Sequence, residues 1–230
     1  MTEITSIKEK IIEYFKKTDW YDHLKTFLIG EELDSILTKL YNFVQEEKRF
    51  TPPLKDVFTA FTKTSFKDVK VVVIGQDPYP QLNVANGVAF CCAKQGKLNP
   101  SLKFILNAVN KTVYNGEEQS TDVDLTRWTE QGVLLLNTAF TCEINKPATH
   151  YEVWKNFMTY LLDTISTKKE KVVFLLLGAK AHEFESLIDD DKHIVIKASH
   201  PASAVYKGGV WECNDCFNKI NEHLETKIQW

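Results

Sequence analysis

A chain of 230 residues is long enough to bury one sizeable core, and 43% hydrophobic with 26% charged residues is the balance of an ordinary globular domain rather than of a disordered or fibrous one. A formal net charge of −3 argues against a protein that coats nucleic acid by bulk charge, though not against one that grips a short piece locally. No apolar run approaches the ~18 residues of a membrane span, and "MTEITSIKEKIIEYFKK" has no basic segment ahead of an apolar one, so the expectation is an intracellular protein.

In chain order, "IKEKIIEYF" sets Ile7, Ile11, Ile12 and Phe15 on one helical face, and "LDSILTKLYNFV" does the same with Leu33, Ile36, Leu37, Leu40 and Val44. Both read as core-facing scaffold. Four short runs rich in Val, Leu and Ile follow: "KVVVIG" (70–75), "GVLLLN" (132–137), "KVVFLLLG" (171–178) and "HIVIKAS" (193–199). None alternates with polar residues, the pattern of strands covered on both faces. Helical patterns lie between them in "SLKFILNAVN", "VWKNFMTYLLDTI" and "AKAHEFESLI". Strands alternating with helices predict a single α/β domain with a central four-stranded parallel sheet flanked by helices on both faces. Repeats, low-complexity segments and Gly/Ser linkers are absent from the sequence. Five cysteines make an odd count. Cys213 and Cys216 form one C-x-x-C with no second ligand pair, and Cys91–Cys92 are adjacent, so packed reduced thiols are expected and no metal.

The strand exits carry the chemistry. The first run ends at Gln76–Asp77, the second at Asn137, and the fourth passes through Ser199 to His200–Pro201. Ligands of open α/β sheets bind beyond the carboxyl ends of the strands, so an amide, a carboxylate and an imidazole can converge from distant positions. Pro78 disfavours the α region for Asp77 and holds the carboxylate in an extended turn. Singly, each residue has an ordinary reading: a turn aspartate, a strand-ending asparagine, a structural histidine and, at Phe90, a core ring. Together they point to a site.

"GQDPYP", "GVLLLNT" and "SHPAS" resemble the signature segments of family 1 uracil-DNA glycosylases, and "PPLKDVFTAF", "NGVAF", "PSL", "VVFLLLGAKA" and "CFNKINEHL" fall in that family's order. The likeness runs from about Arg49 to the C-terminus, over a 49–230 core. Residues 1–48 read as a helical extension packed on it. The resemblance implies excision of uracil from DNA without cofactor or metal, a uracil-containing DNA substrate, single- or double-stranded, and a monomer that meets a protein inhibitor or replication partner. The compartment would be the cytoplasm in a bacterium and otherwise wherever the DNA is. It makes Asp77 and His200 catalytic, and Gln76, Tyr79, Phe90 and Asn137 the uracil contacts. It assigns DNA-backbone contacts to Pro100 and Ser101, to Thr149 and His150, and to Pro201 and Ser203, with Lys103 and Lys207 as added charge. Two departures stand out. Pro80 replaces the histidine usual after "DPY", and the loop that usually carries a leucine wedge reads "HPASAVYKGGVW", placing Ala204, Val205 and Tyr206 at the wedge. Alanine cannot fill a base-sized void, which predicts a weaker flip, a single-strand preference, or a wedge made by Val205 or Tyr206. A DNA-binding accessory subunit and a glycosylase for another modified pyrimidine are the competing readings.

Overall fold

The computed structural model describes residues 3–92, 98–117, 123–206 and 208–230. Lys207 lies outside them. The opening helices are α1 (Glu3–Phe15), α2 (Tyr21–Ile29) and α3 (Glu31–Gln45). They pack on one another, and α2 and α3 also pack on the long helix α7 (Tyr151–Lys168). Ile11 and Phe15 are buried on α1, and Leu33, Ile36, Leu37 and Leu40 on α3. Val44 is 49% exposed, contrary to the periodicity, because it sits in the last turn of α3.

A ribbon the sequence pattern did not announce pairs β1 (Phe50–Thr51) with β4 (Cys142–Glu143), antiparallel. Two residues per strand are too few to leave a periodic signal.

The central sheet is parallel, in the order β3 (Val133–Asn137), β2 (Val71–Gly75), β5 (Val173–Leu177), β6 (Ile194–Ala198), and helices flank it. The first three strands are buried along almost their whole length, as continuous apolar runs require. β6 is different: Ile194, Val195 and Ile196 are only partly covered and Lys197 is exposed. The expectation of full coverage fails there, although β3 at the opposite edge of the sheet is buried. The segment 179–188 forms a four-residue helix, α8 (Ala179–His182), and a separate 3₁₀ turn at Glu185–Leu187 rather than one helix.

The remaining helices are α4 (Ala60–Lys63), α5 (Pro100–Thr112), α6 (Thr126–Glu130) and α9 (Cys216–Glu222). One hydrophobic cluster reaches from Ile11 to Trp230. All five cysteines are buried within the fold and none is in a disulfide. Among the described residues no helix is long and apolar enough to cross a membrane, and no cluster of three or more His, Cys, Asp or Glu is placed to hold a metal ion.

The chain leaves β2 for β3 on one side and then crosses to β5 on the other, so the order reverses at β2. That reversal opens a crevice beyond the carboxyl end of β2, where Gln76 and Asp77 stand.

Candidate active site

A cavity of about 330 Å³ opens at these strand ends, lined by Gln76, Asp77, Tyr79, Phe90, Asn137 and His200 together with Ser101, Pro80, Pro147 and apolar neighbours. Its size falls at the lower end of small-molecule pockets, roughly 300–1,000 Å³. The three strand-exit groups expected to converge do so.

Asn137 is delivered by ladder pairing: it stands directly opposite Gly75. The absence of a side chain at Gly75 makes the close approach feasible. A Cβ there would lie 2.7 Å from Asn137 Oδ1 and 2.7 Å from Phe90 Cζ, both well inside van der Waals contact. The Gln76 backbone is locked as well, its carbonyl accepting from Ala139 N–H (3.1 Å) and from the Thr138 hydroxyl (2.8 Å).

Asp77 is held through one oxygen. Its Oδ2 accepts from Gln76 Nε2 (2.8 Å) and from the backbone N–H of Ala148 (2.9 Å). Its Oδ1 is buried and has no hydrogen-bond partner among the described residues. Burial pushes the carboxyl above the usual carboxylate range, and the two donated bonds pull it part of the way back. The carboxylate is thus oriented on one side and free on the other.

His200 follows β6 and is seated by a second glycine. Gly178 has φ +92°, and a Cβ there would come within 2.9 Å of His200 Cβ. The Nδ1 of His200 accepts from Ala202 N–H (3.2 Å). In the neutral ring the proton therefore sits on Nε2, which becomes a donor. Burial lowers the imidazole below the ordinary histidine range, which keeps it neutral.

The walls fix one another. Phe90 is buried and adopts a left-handed backbone (φ 64°), strain that an aromatic residue rarely accepts. Its carbonyl accepts from the Tyr79 hydroxyl (3.1 Å), and the next residue back is tied to β3 by Ala89 N–H to Leu135 C=O (3.2 Å). The Phe90 and His200 rings lie 6.1 Å apart, inclined at 38°. Pro80 lines the cavity and its carbonyl accepts from Asn145 N–H (2.9 Å).

The loops expected to grip DNA divide. Pro100 is exposed at the start of α5, whereas Ser101 is 92% covered and faces the cavity. Lys103 is exposed. Pro201 opens a 3₁₀ turn, Pro201–Tyr206, that packs against α5. Ser203 is partly exposed, its hydroxyl 3.4 Å from that of Ser199. Ala204 is fully buried, so it cannot enter a duplex, while Val205 and Tyr206 are 60% and 91% exposed. Of the wedge candidates only these two present a side chain.

The Thr149–His150 expectation needs the larger correction. The His150 ring has no solvent exposure and offers no surface to a phosphate. It is an internal anchor. Trp154 Nε1–H donates to Thr141 Oγ1 (2.7 Å), which leaves the threonine proton for His150 Nδ1 (2.8 Å). The Phe43 ring meets the imidazole edge-on at 4.5 Å, and burial pushes its pKa down to about 4. Thr149 is exposed, but its hydroxyl is engaged inside its own loop.

Sequence reasoning missed Ala148, whose contribution is a backbone N–H that no side-chain pattern reports. It also missed Gly178, although a glycine ending an apolar run is a visible signal.

Known proteins share this fold and much of this sequence. The model of the uracil DNA glycosylase superfamily matches residues 61–225. A protein of Acinetobacter baumannii (strain SDF) named uracil-DNA glycosylase is 36% identical over 220 residues, covering 95% of this chain and 92% of its own, so the similarity takes in most of the N-terminal helices. The crystal structure of mimivirus uracil-DNA glycosylase superimposes with a TM-score of 0.82 at 26% identity, over 92% of this chain and 86% of its own. A variant of that viral protein in complex with UGI gives 0.81 at 26% identity, over 91% and 86%. Fold and sequence agree, and the chain belongs to the uracil DNA glycosylase superfamily.

Proposed function

We propose that this chain hydrolyses the N-glycosidic bond of uracil in DNA, releasing the free base and leaving an abasic site. The observation that carries the reading is the convergence of Asp77, Asn137 and His200 on one cavity of pyrimidine scale.

Chemistry on a base requires taking it out of the stack and into a pocket. In that pocket the Asn137 amide suits uracil: its NH₂ donates to O4 and its carbonyl accepts from N3–H. Cytosine would set like against like at both contacts, and polar groups left unpaired discriminate by ~10⁴ or more. Thymine differs by a methyl, which hydrogen bonding cannot reject. Tyr79, tethered to the Phe90 carbonyl, is a rigid wall for that purpose. The Phe90 ring offers a stacking face worth ~1–3 kcal/mol, and the Gln76 backbone N–H is assigned to O2.

Cleavage develops an oxocarbenium-like sugar and a uracil anion. Asp77 Oδ1 is the free carboxylate oxygen to face the cation and to orient water. His200, neutral with its proton on Nε2, is the donor for the charge growing on O2. Each such preorganised group commonly contributes ~3–4 kcal/mol.

Pro100, Ser101 and Ser203 are assigned to the DNA backbone, and Val205 and Tyr206 to the gap left by the flipped base, whereas Pro201 is buried and supports its turn from within. The complex of the viral relative with UGI supports a protein partner for this chain as well. The deciding experiment is an oligonucleotide with one central deoxyuridine, beside deoxycytidine and thymidine controls and a panel of modified pyrimidines. Release of uracil alone by wild type, and its loss in Asp77→Asn, is the expected result. Binding without release would favour an accessory subunit, and release of another base a different substrate.

A further inference from the structure

The Ala148 N–H that holds Asp77 Oδ2 comes from the loop after β4, and Ala148 itself adopts φ 63°, with Asn145 at φ 62°. Left-handed backbone at a residue with a Cβ costs roughly 1–2 kcal/mol, so other bonds must impose the loop's shape. The Thr149 hydroxyl supplies two. It accepts from Glu143 N–H (2.9 Å) and donates to Lys146 C=O (3.0 Å), joining the beginning and the middle of the loop at the residue next to Ala148. Asn145 N–H to Pro80 C=O (2.9 Å) and Ile144 N–H to Arg49 C=O (2.9 Å) tie its outer side. Immediately after Thr149, the buried His150 fixes the exit.

We propose that Thr149 is a positioning residue for the reaction: its hydroxyl closes the 143–149 loop so that the Ala148 N–H stays aimed at Asp77 Oδ2, leaving Oδ1 turned to the substrate. This rests on the reading of Asp77 as the group that faces the sugar. It assigns Thr149 a role distinct from a DNA contact, since the single proton its hydroxyl could give to a phosphate is already donated to Lys146 C=O.

The two roles separate in kinetics. The charged groups around the carboxylate are few. Cys142 has its thiol pushed up to about 12 by burial and by Asp77 itself, His200 stands at the same cavity, and Glu143 and Lys146 pair with each other at 2.7 Å. Thr149 meets Glu143 and Lys146 through their backbones alone, so their side-chain ion pair does not depend on its hydroxyl. Losing the Ala148 bond removes a donor that favours the ionised carboxylate, so the carboxyl pKa rises further. A rate that needs ionised Asp77 is then lost at higher pH as the solution is acidified.

The test compares Thr149→Val, which keeps the shape and removes the hydroxyl, with Thr149→Ser, which keeps the hydroxyl, on the single-deoxyuridine oligonucleotide across pH. Thr149→Val should lower kcat about tenfold, the worth of one charge-assisted hydrogen bond. Its KM should stay unchanged and its acid limb should move to higher pH, while Thr149→Ser stays close to wild type. A raised KM with kcat and limb unmoved would mean a DNA contact and overturn the proposal, as would a Val variant indistinguishable from wild type. Thr149 is exposed, so neither change opens the core. Should the Val variant lose its cooperative melt, a shifted limb in folded Thr149→Ser would still overturn the idea, and an unshifted one would uphold the hydroxyl's role. Asp77→Asn is assayed alongside. Full activity there sinks the reading of Asp77 itself, whereas a crippled Asp77→Asn beside a normal Thr149→Val sinks the positioning role alone.

Discussion

Replacing Gly75 by alanine adds one methyl at the point where the two sides of the pocket meet. The new Cβ would sit 2.7 Å from Asn137 Oδ1 and 2.7 Å from Phe90 Cζ, with Phe90 Cε2 at 3.2 Å. Optimal carbon contacts lie near 3.5–4.0 Å, so each neighbour must retreat by about 1 Å. Phe90 has little freedom to do so, being buried, left-handed and tied through its carbonyl to Tyr79. Asn137 can rotate its amide, but only by abandoning the orientation that would read the base. Overpacking of this kind costs ~1–3 kcal/mol of a total stability near 5–15, so the protein stays folded with a lowered Tm. A misplacement of about 1 Å at a reacting centre costs ~10²-fold in rate, close to 2.7 kcal/mol of barrier. Steady-state kcat/KM on a uracil oligonucleotide, measured with a thermal melt of the same preparation, reads both effects. A folded Gly75→Ala that keeps its rate within about twofold of wild type would refute the claim that strand-end spacing sets the pocket.

Three further outcomes follow from the same geometry. ¹⁵N NMR of the His200 ring should show the neutral form with the proton on Nε2 throughout the neutral range, protonating only below the ordinary histidine region; an imidazolium at neutral pH contradicts the Ala202-to-Nδ1 assignment. Asp77→Asn should melt higher than wild type at neutral pH while losing activity. Because folding raises this carboxyl's pKa, the folded state holds the proton more tightly than the unfolded chain, and stability falls as pH rises through the folded value. The advantage of the asparagine should therefore fade in acid, and a lower Tm for it at neutral pH would be the wrong sign. Tyr206→Ala should reduce activity on duplex more than on single-stranded substrate, since Tyr206 is the most exposed ring of the loop and Ala204 is buried; equal losses on both would place the wedge elsewhere.

The sheet was legible because three of its strands are buried along almost their whole length and so had to be written as unbroken apolar runs. β6 shared the composition of those runs without their burial, and composition alone does not tell a covered edge such as β3 from an open one such as β6. The helix read through 179–188 breaks after one turn, where periodicity in a short window competes with the turn that returns the chain to β6. The β1–β4 ribbon left no trace, although β4 leads into the loop that steadies Asp77.

The site was legible wherever a side chain carries the role. Asp77, Asn137 and His200 could be picked out as strand-exit polar groups, and the cavity unites them. What escaped is work done by the backbone: the N–H groups of Ala148 and Ala202, and the empty Cβ positions of Gly75 and Gly178. Resemblance failed in a different manner. A motif position transmits residue identity but not exposure, and exposure decides what can touch DNA. His150 carries the identity expected of a phosphate contact and sits wholly inside the protein, between Phe43 and the Thr141–Trp154 pair. Ala204 occupies the wedge position in sequence and is just as covered, while the following two residues turn outward. Both corrections have one physical source. In each loop an inward-facing residue pins the backbone to the core and exposure passes to one side of it, to Thr149 before His150 and to Val205 and Tyr206 after Ala204. Exposed surface therefore shifts by a residue along the chain without any change in the fold that presents it.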